Sequence, residues 1–134
     1  MTKKEMVISV LEELGFKPKE DEDGDLMVRY QLKNVYAMMG DADEHYVVFI
    51  LPQFYEVDEG DEALAITACN KVTRELKMGK VYIDSTYKSA TASCEFYFTD
   101  EESLKQNIEH SFNIMGIIRT VFRNAFDELK AASA

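Results

Sequence analysis

The ten residues His45–Phe54, HYVVFILPQF, decide how this chain is read. Val47–Leu51 is the most continuously apolar run in the sequence. Val47, Val48 and Ile50 are β-branched and Tyr46 and Phe49 are aromatic, the side chains that suit a pleated surface. A strand wet on one face alternates polar and apolar residues. This one does not, so it reads as a central strand with both faces largely covered. Pro52 has no N–H to give a ladder and is expected to end regular pairing.

Two strands precede it. In Leu26–Leu32, residues Leu26, Val28, Tyr30 and Leu32 point one way and Met27, Arg29 and Gln31 the other. Lys33-Asn34 reads as a tight turn, Val35–Met39 as the next strand and Gly40–Glu44 as the next turn. Connections this short make an antiparallel meander. Before it lies a polar stretch, Lys17–Asp25, and before that a helix from Thr2 or Lys3 to about Leu14. Met6, Val7, Val10, Leu11 and Leu14 form its apolar face. Gly15 suits a left-handed C-terminal cap, after which Phe16 can fold back.

Downstream, the acidic Glu56–Asp61 leads into a second helix, capped by Asp58 or Asp61 and ended by Gly79. Its buried stripe is Ala65, Ala68, Cys69, Val72 and Leu76. Val81–Tyr87 and Thr91–Phe98 are the last two strands, joined by Lys88-Ser89-Ala90. The final helix starts at Thr99 or Asp100, with Glu102 or Ser103 as capping-box partner, and runs to about Leu129. Leu104, Ile108, Phe112, Met115, Ile118, Phe122, Phe126 and Leu129 recur at helical spacing, and Ile114, Ile117 and Val121 widen that face. Gly116 within it costs about 1 kcal/mol relative to Ala, which points to close packing or a bend. The order is α-β-β-β-α-β-β-α: an α+β, two-layer fold with a five-stranded antiparallel sheet and helices on one face.

This order, the segment Ala63–Val81 (ALAITACNKVTRELKMGKV) and the terminal helix SLKQNIEHSFNIMGIIRTVFRNAF resemble the type III secretion chaperone-like fold. More specifically, the chain resembles the YbjN-type domain, labelled a bacterial sensory-transduction regulator. The resemblance covers nearly the whole chain and implies one such domain over residues 1–134. It also implies the sheet order 1-2-3-5-4, which puts Tyr46–Leu51 beside Thr91–Phe98. Secretion chaperones of this fold are homodimers that bind extended client segments; YbjN-type domains have no settled activity. Transferring the chaperone role is analogy at the level of fold.

Charge narrows the partners. The 134 residues carry 25 acidic against 15 basic groups, a formal net charge of −10. Such a surface argues against broad contact with nucleic-acid phosphates or anionic membranes. The amino-terminal stretch reads as a helix because Glu5, Glu12 and Glu13 interrupt any signal-like apolar core, and no run reaches membrane-spanning length. Cys69 and Cys94 fall on apolar faces, as buried thiols of a reducing compartment do, so the cytoplasm is the expected location.

No residue is assigned a catalytic, cofactor-binding or metal-ligating role. Asp21–Asp25 fails the EF-hand pattern, because counting from Asp21 puts Gly24 at position four and Leu32 at position twelve. Asp41, Asp43, Glu44 and His45 offer carboxylates and an imidazole but read as a solvated turn, and Glu56, Asp58, Glu59, Asp61 and Glu62 as a solvated loop and helix start. His45 and His110 lack HExxH or facial-triad spacing. Cys94 and Glu95 point to opposite sheet faces. Lys71, Arg74, Lys77 and Lys80 suit the C-terminal end of a helix. No Walker loop, GxGxxG, GxSxG or CxxC occurs.

What remains is apolar surplus: the broad final helix, and Tyr36, Tyr82, Tyr87 and Tyr97 on strands whose second face has no helix to cover it. Aromatics and Met are enriched at interfaces. The expectation is a non-enzymatic protein-interaction module, chaperone-like or regulatory and homodimeric, with a protein client or regulatory partner and no cofactor. The alternative is a small-ligand or metal-sensing domain using the acidic turns.

Overall fold

The computed structural model describes residues 1–133. Helix α1 spans Lys3–Glu13, followed by strands β1 (Lys19–Glu20), β2 (Leu26–Tyr30), β3 (Lys33–Met38) and β4 (Tyr46–Glu56). Helix α2 (Glu62–Glu75), strands β5 (Gly79–Ile83) and β6 (Ser89–Tyr97), and helix α3 (Glu101–Ala132) complete it. All neighbouring strands pair antiparallel in the order β1-β2-β3-β4-β6-β5. Among the described residues the sheet therefore has six strands where five were expected. The extra one is Lys19–Glu20, whose charged residues show no strand pattern and which pairs only with Met27 and Leu26.

The other five follow the order that the resemblance implied, with β4 beside β6. Several boundaries move for local reasons. Lys33 and Asn34 belong to β3; the turn is Gln31-Leu32, both at positive φ between the paired Tyr30 and Lys33. Pro52 does not end β4. The strand continues to Glu56 past a register shift between Leu51 and Tyr55, with Gln53 at φ 50°. Helix α2 ends at Glu75, and Gly79, expected to stop it, opens β5. Strand β5 ends at Ile83 because Asp84 accepts hydrogen bonds from the Thr86 backbone and from the Thr86 and Ser89 hydroxyls, making a turn that Tyr87 leaves at φ 61°.

Caps place the helices. Thr2 and Glu5 form a capping box on α1, and Asp100 and Ser103 form one on α3. Asp61 holds the cap position of α2, but its carboxylate pairs with Lys130 at 2.9 Å instead of capping. Gly15 takes φ 93° after α1, and Phe16 folds back to stack on Phe112 with centroids 4.5 Å apart. Gly116 of α3 is the close approach that its helical cost implied: a Cβ there would lie 3.2 Å from the Tyr30 hydroxyl.

Helix α3 lies across β4 and β6, with α1 and α2 packed against it. The core holds Val47, Phe49 and Leu51 of β4, Ala90, Ala92, Cys94 and Phe96 of β6, and Leu104, Ile108, Met115, Ile118 and Phe122 of α3. Ile114 of α3 is also buried, within reach of Gly79. The breadth of the α3 face is thus mostly used inside the molecule, and Ile117 alone of its three widening positions is largely exposed, at 54%.

Candidate interaction surface

The face of the sheet turned away from the helices is built by alternation. With Val47, Phe49 and Leu51 inward, Tyr46, Val48 and Ile50 point outward, and all three are only half-buried. This corrects the expectation that β4 is covered on both faces. The strand buried on both is β6, where Thr91 and Ser93 are 6% and 2% exposed. They are small, and their cross-strand neighbours are large: Tyr82 beside Thr91, and Lys80 and Ile50 on either side of Ser93.

Register aligns the outward residues in rows. One runs Met27–Tyr36–Ile50–Ser93–Lys80 from β2 to β5, the next Met38–Val48–Glu95, and the next Tyr46–Tyr97. The result is an apolar centre of Met27, Tyr36, Met38, Val48 and Ile50. Tyr97 is 68% exposed beside it, its ring 5.1 Å from that of Tyr46.

A polar cluster borders this centre. Tyr46 donates its hydroxyl to Glu95 Oε2 at 2.6 Å, and Lys80 pairs with Glu95 Oε1. Lys80 holds the Glu95 carboxyl below the usual range, helped by Tyr46, while the bond to Glu95 pushes the Tyr46 phenol up to about 12. Every group is satisfied by another, so the cluster fixes side chains rather than offering a reactive one.

The acidic turns separate into three cases. Asp21, Asp23 and Asp25 come together, with carboxylate oxygens all within 4.8 Å of one another, a donor set that suits a hard divalent cation. Two of them already serve the backbone: Asp21 Oδ1 accepts from the amides of Asp23 and Asp25, and Asp25 Oδ1 from that of Met39. The loop fails the EF-hand pattern at its glycine and at position twelve, but its Asp-x-Asp-x-Asp spacing was the local signal of this convergence. Asp41 and Asp43 cap their own turn, accepting from the amides of Asp43 and His45. A buried ammonium that sequence reading missed organises the turn: Lys3 Nζ donates to the carbonyls of Asp41, Asp43 and Tyr46. Glu56, Asp58, Glu59 and Glu62 line a cleft of about 330 Å³ with Tyr87 and Lys88.

The remaining candidates have packing or backbone partners. His45 packs on Phe98 with centroids 5.6 Å apart, and His110 Nε2 lies 2.9 Å from the Lys77 carbonyl. Burial pushes the Cys69 thiol up to about 12 and the Cys94 thiol to about 11, which suppresses thiolate chemistry. Among the described residues, no helix is long and apolar enough to cross a membrane.

The family model described as "YbjN: Putative bacterial sensory transduction regulator" matches residues 3–114, most of the chain. The chain belongs to the YbjN family. No curated protein matches it. The crystal structure of "YbjN, a putative transcription regulator from E. coli" superposes with a TM-score of 0.65 at 12% identity, covering 92% of this chain and 91% of that one. A chain of the HopA1–SchA chaperone–effector complex superposes at 0.59 and 13% identity, covering 87% and 92%. A chain of the Yersinia pestis type III secretion chaperone SycH, in complex with a stable fragment of YscM2, superposes at 0.50 and 12%, covering 81% and 92%. At these identities the likeness is one of fold, and the secretion chaperone-like architecture of this YbjN-family chain is established by it.

Proposed function

We propose that this chain is a non-enzymatic protein-interaction module, regulatory or chaperone-like, that receives an extended segment of a partner protein on its open sheet face. The observation that carries the reading is the row Met27–Tyr36–Ile50, continued by Met38–Val48: apolar side chains on adjacent strands, in register, with no helix over them among the described residues. A flat apolar centre with charged margins suits a partner strand that brings apolar anchors. Two of the structural neighbours are chaperones in complexes with an effector or a protein fragment, which supports the reading by analogy of fold. Selection of displayed peptides against the full chain tests it. Apolar-rich peptides that lose binding to an Ile50→Asp variant are the expected result; no enrichment, or binding indifferent to that substitution, overturns it.

The active form under this proposal is a homodimer. Tyr82, Tyr97 and Ile66 leave apolar surface beyond what one client segment needs. Sedimentation at micromolar concentration is expected to give twice the 15.4 kDa chain mass, and a clean monomer rejects this part. A second reading, divalent-cation sensing, rests on the Asp21, Asp23 and Asp25 convergence. A thermal shift with calcium that Asp23→Asn abolishes is its expected sign, and silence across divalent ions rejects it.

A further inference from the structure

We propose that the cleft between β3 and β4 binds a small ligand bearing an oxyanion, a phosphate or carboxylate, on an apolar body. The cleft exists because the two strands part. Their pairing runs from Met38↔Val48 to Tyr36↔Ile50, and β3 continues through Val35, Asn34 and Lys33 with no partner on β4. Beyond Ile50, β4 leaves its regular ladder: from Leu51 to Tyr55 it takes four steps against two on β6, Gln53 takes positive φ, and its amide donates to Thr91 Oγ1 at 3.1 Å. The gap is about 400 Å³, the size of a small-ligand site.

Its charge is opposite to that of the molecule. Arg29, Lys33 and Arg119 line it and no carboxylate does, in a chain with 25 acidic and 15 basic residues. Among the described residues, none of the three is in an ion pair. Two are held by neutral acceptors: Arg29 donates to Asn34 Oδ1 at 3.0 Å, and Lys33 to the Met115 carbonyl at 3.2 Å. Each keeps further donors, because a guanidinium has five N–H groups and an ammonium three. Three cations around one gap repel one another, and an oxyanion among them offsets that repulsion while gaining charge-assisted hydrogen bonds. Tyr36, Pro52 and Phe54 supply the apolar part of the lining.

The test is an NMR titration of the isotope-labelled full chain with phenyl phosphate and, separately, phenylacetate, with benzyl alcohol as the uncharged control. The expected result is saturable movement of the Asn34 and Gln53 amides with at least one anion and not with the alcohol. Arg119→Gln is expected to weaken binding about tenfold, the worth of one charged hydrogen bond, and Arg29→Gln with Arg119→Gln further. Arg74→Gln, on α2 and outside the cleft, leaves binding unchanged. Both cleft arginines are exposed, so the variants keep the fold and its melting point. The tighter of the two anions tells phosphate from carboxylate. No saturable shift up to about 10 mM of either anion, equal binding of the alcohol, or binding that survives the double substitution overturns the proposal. So does a Glu-rich peptide binding there when neither small anion does.

Discussion

Thr73 closes the free edge of β5 at Val81. Its Oγ1 accepts from the Val81 amide at 2.9 Å and donates to the Val81 carbonyl at 3.2 Å. A residue of α2 thereby consumes the two backbone groups that Val81 would offer an incoming strand. The opposite edge is β1, two exposed charged residues long. With each edge obstructed at one point, at Val81 of β5 and at Leu26–Met27 of β2, the broad apolar surface on offer to a partner is the open face of the sheet, and side chains rather than strand addition carry the functional proposal.

Replacing Thr73 by Val keeps the shape and removes both bonds. The expected loss is about 1–3 kcal/mol in urea unfolding, with new concentration-dependent association through the exposed edge. Thr73→Ser keeps the hydroxyl and is expected to recover most of the stability.

Lys3 is 7% exposed, and its ammonium meets three carbonyls at 2.8–3.1 Å. Lys3→Met leaves those oxygens without their charged donor and is expected to cost about 2–4 kcal/mol. The neighbouring Lys4 pairs with Glu20 at 3.4 Å on the surface, so Lys4→Met is expected to cost less than about 1 kcal/mol. Equal midpoints for the two variants in chemical unfolding would remove the organising role assigned to Lys3.

How much of this was legible in sequence depends on whether the signal was local. The β4 run, the inward alternation of Ala92, Cys94 and Phe96, and the Asp100–Ser103 cap follow from pattern or from a short-range motif, and the structure has them. β1 was not legible, because Lys19–Glu20 joins the sheet through backbone pairing alone. The breadth of α3 was read correctly as apolar, but which neighbours absorb Ile114 is a tertiary fact. Arg29 and Lys33 share the β2–β3 hairpin, but Arg119 joins them from α3 across a gap that the parting of β3 and β4 leaves open, and that meeting leaves no mark on a linear sequence.

The Tyr46–Glu95–Lys80 cluster gives stability two pH limits. The folded pKa of Glu95 is depressed, so its contribution is present above the ordinary 4.5 and is lost as pH falls through the lower folded value. The folded pKa of Tyr46 is raised, so its contribution is present below 10.0 and is lost as pH rises toward about 12. The stability difference between wild type and Glu95→Gln is therefore expected to be largest near neutral pH and to shrink in acid. A difference that grows below pH 4.5 would contradict the assignment.

Cys69 and Cys94 are expected to resist a thiol reagent at pH 8 in the native chain and to react at once in denaturant, because burial raises both pKa values above 10. Fast native labelling of either would mean that α2 or β6 opens readily.

The central claim, that the open sheet face receives the partner, is tested most directly by the affinity of one selected peptide for two variants of matched melting point. Val48→Asp puts a charge in the centre of the open face, and Ile117→Asp puts one on the exposed side of α3. The account predicts that Val48→Asp weakens binding about thirtyfold or more, the scale of an interface hot spot, while Ile117→Asp leaves it unchanged. Loss with Ile117→Asp and none with Val48→Asp would move the binding surface to α3 and contradict the account.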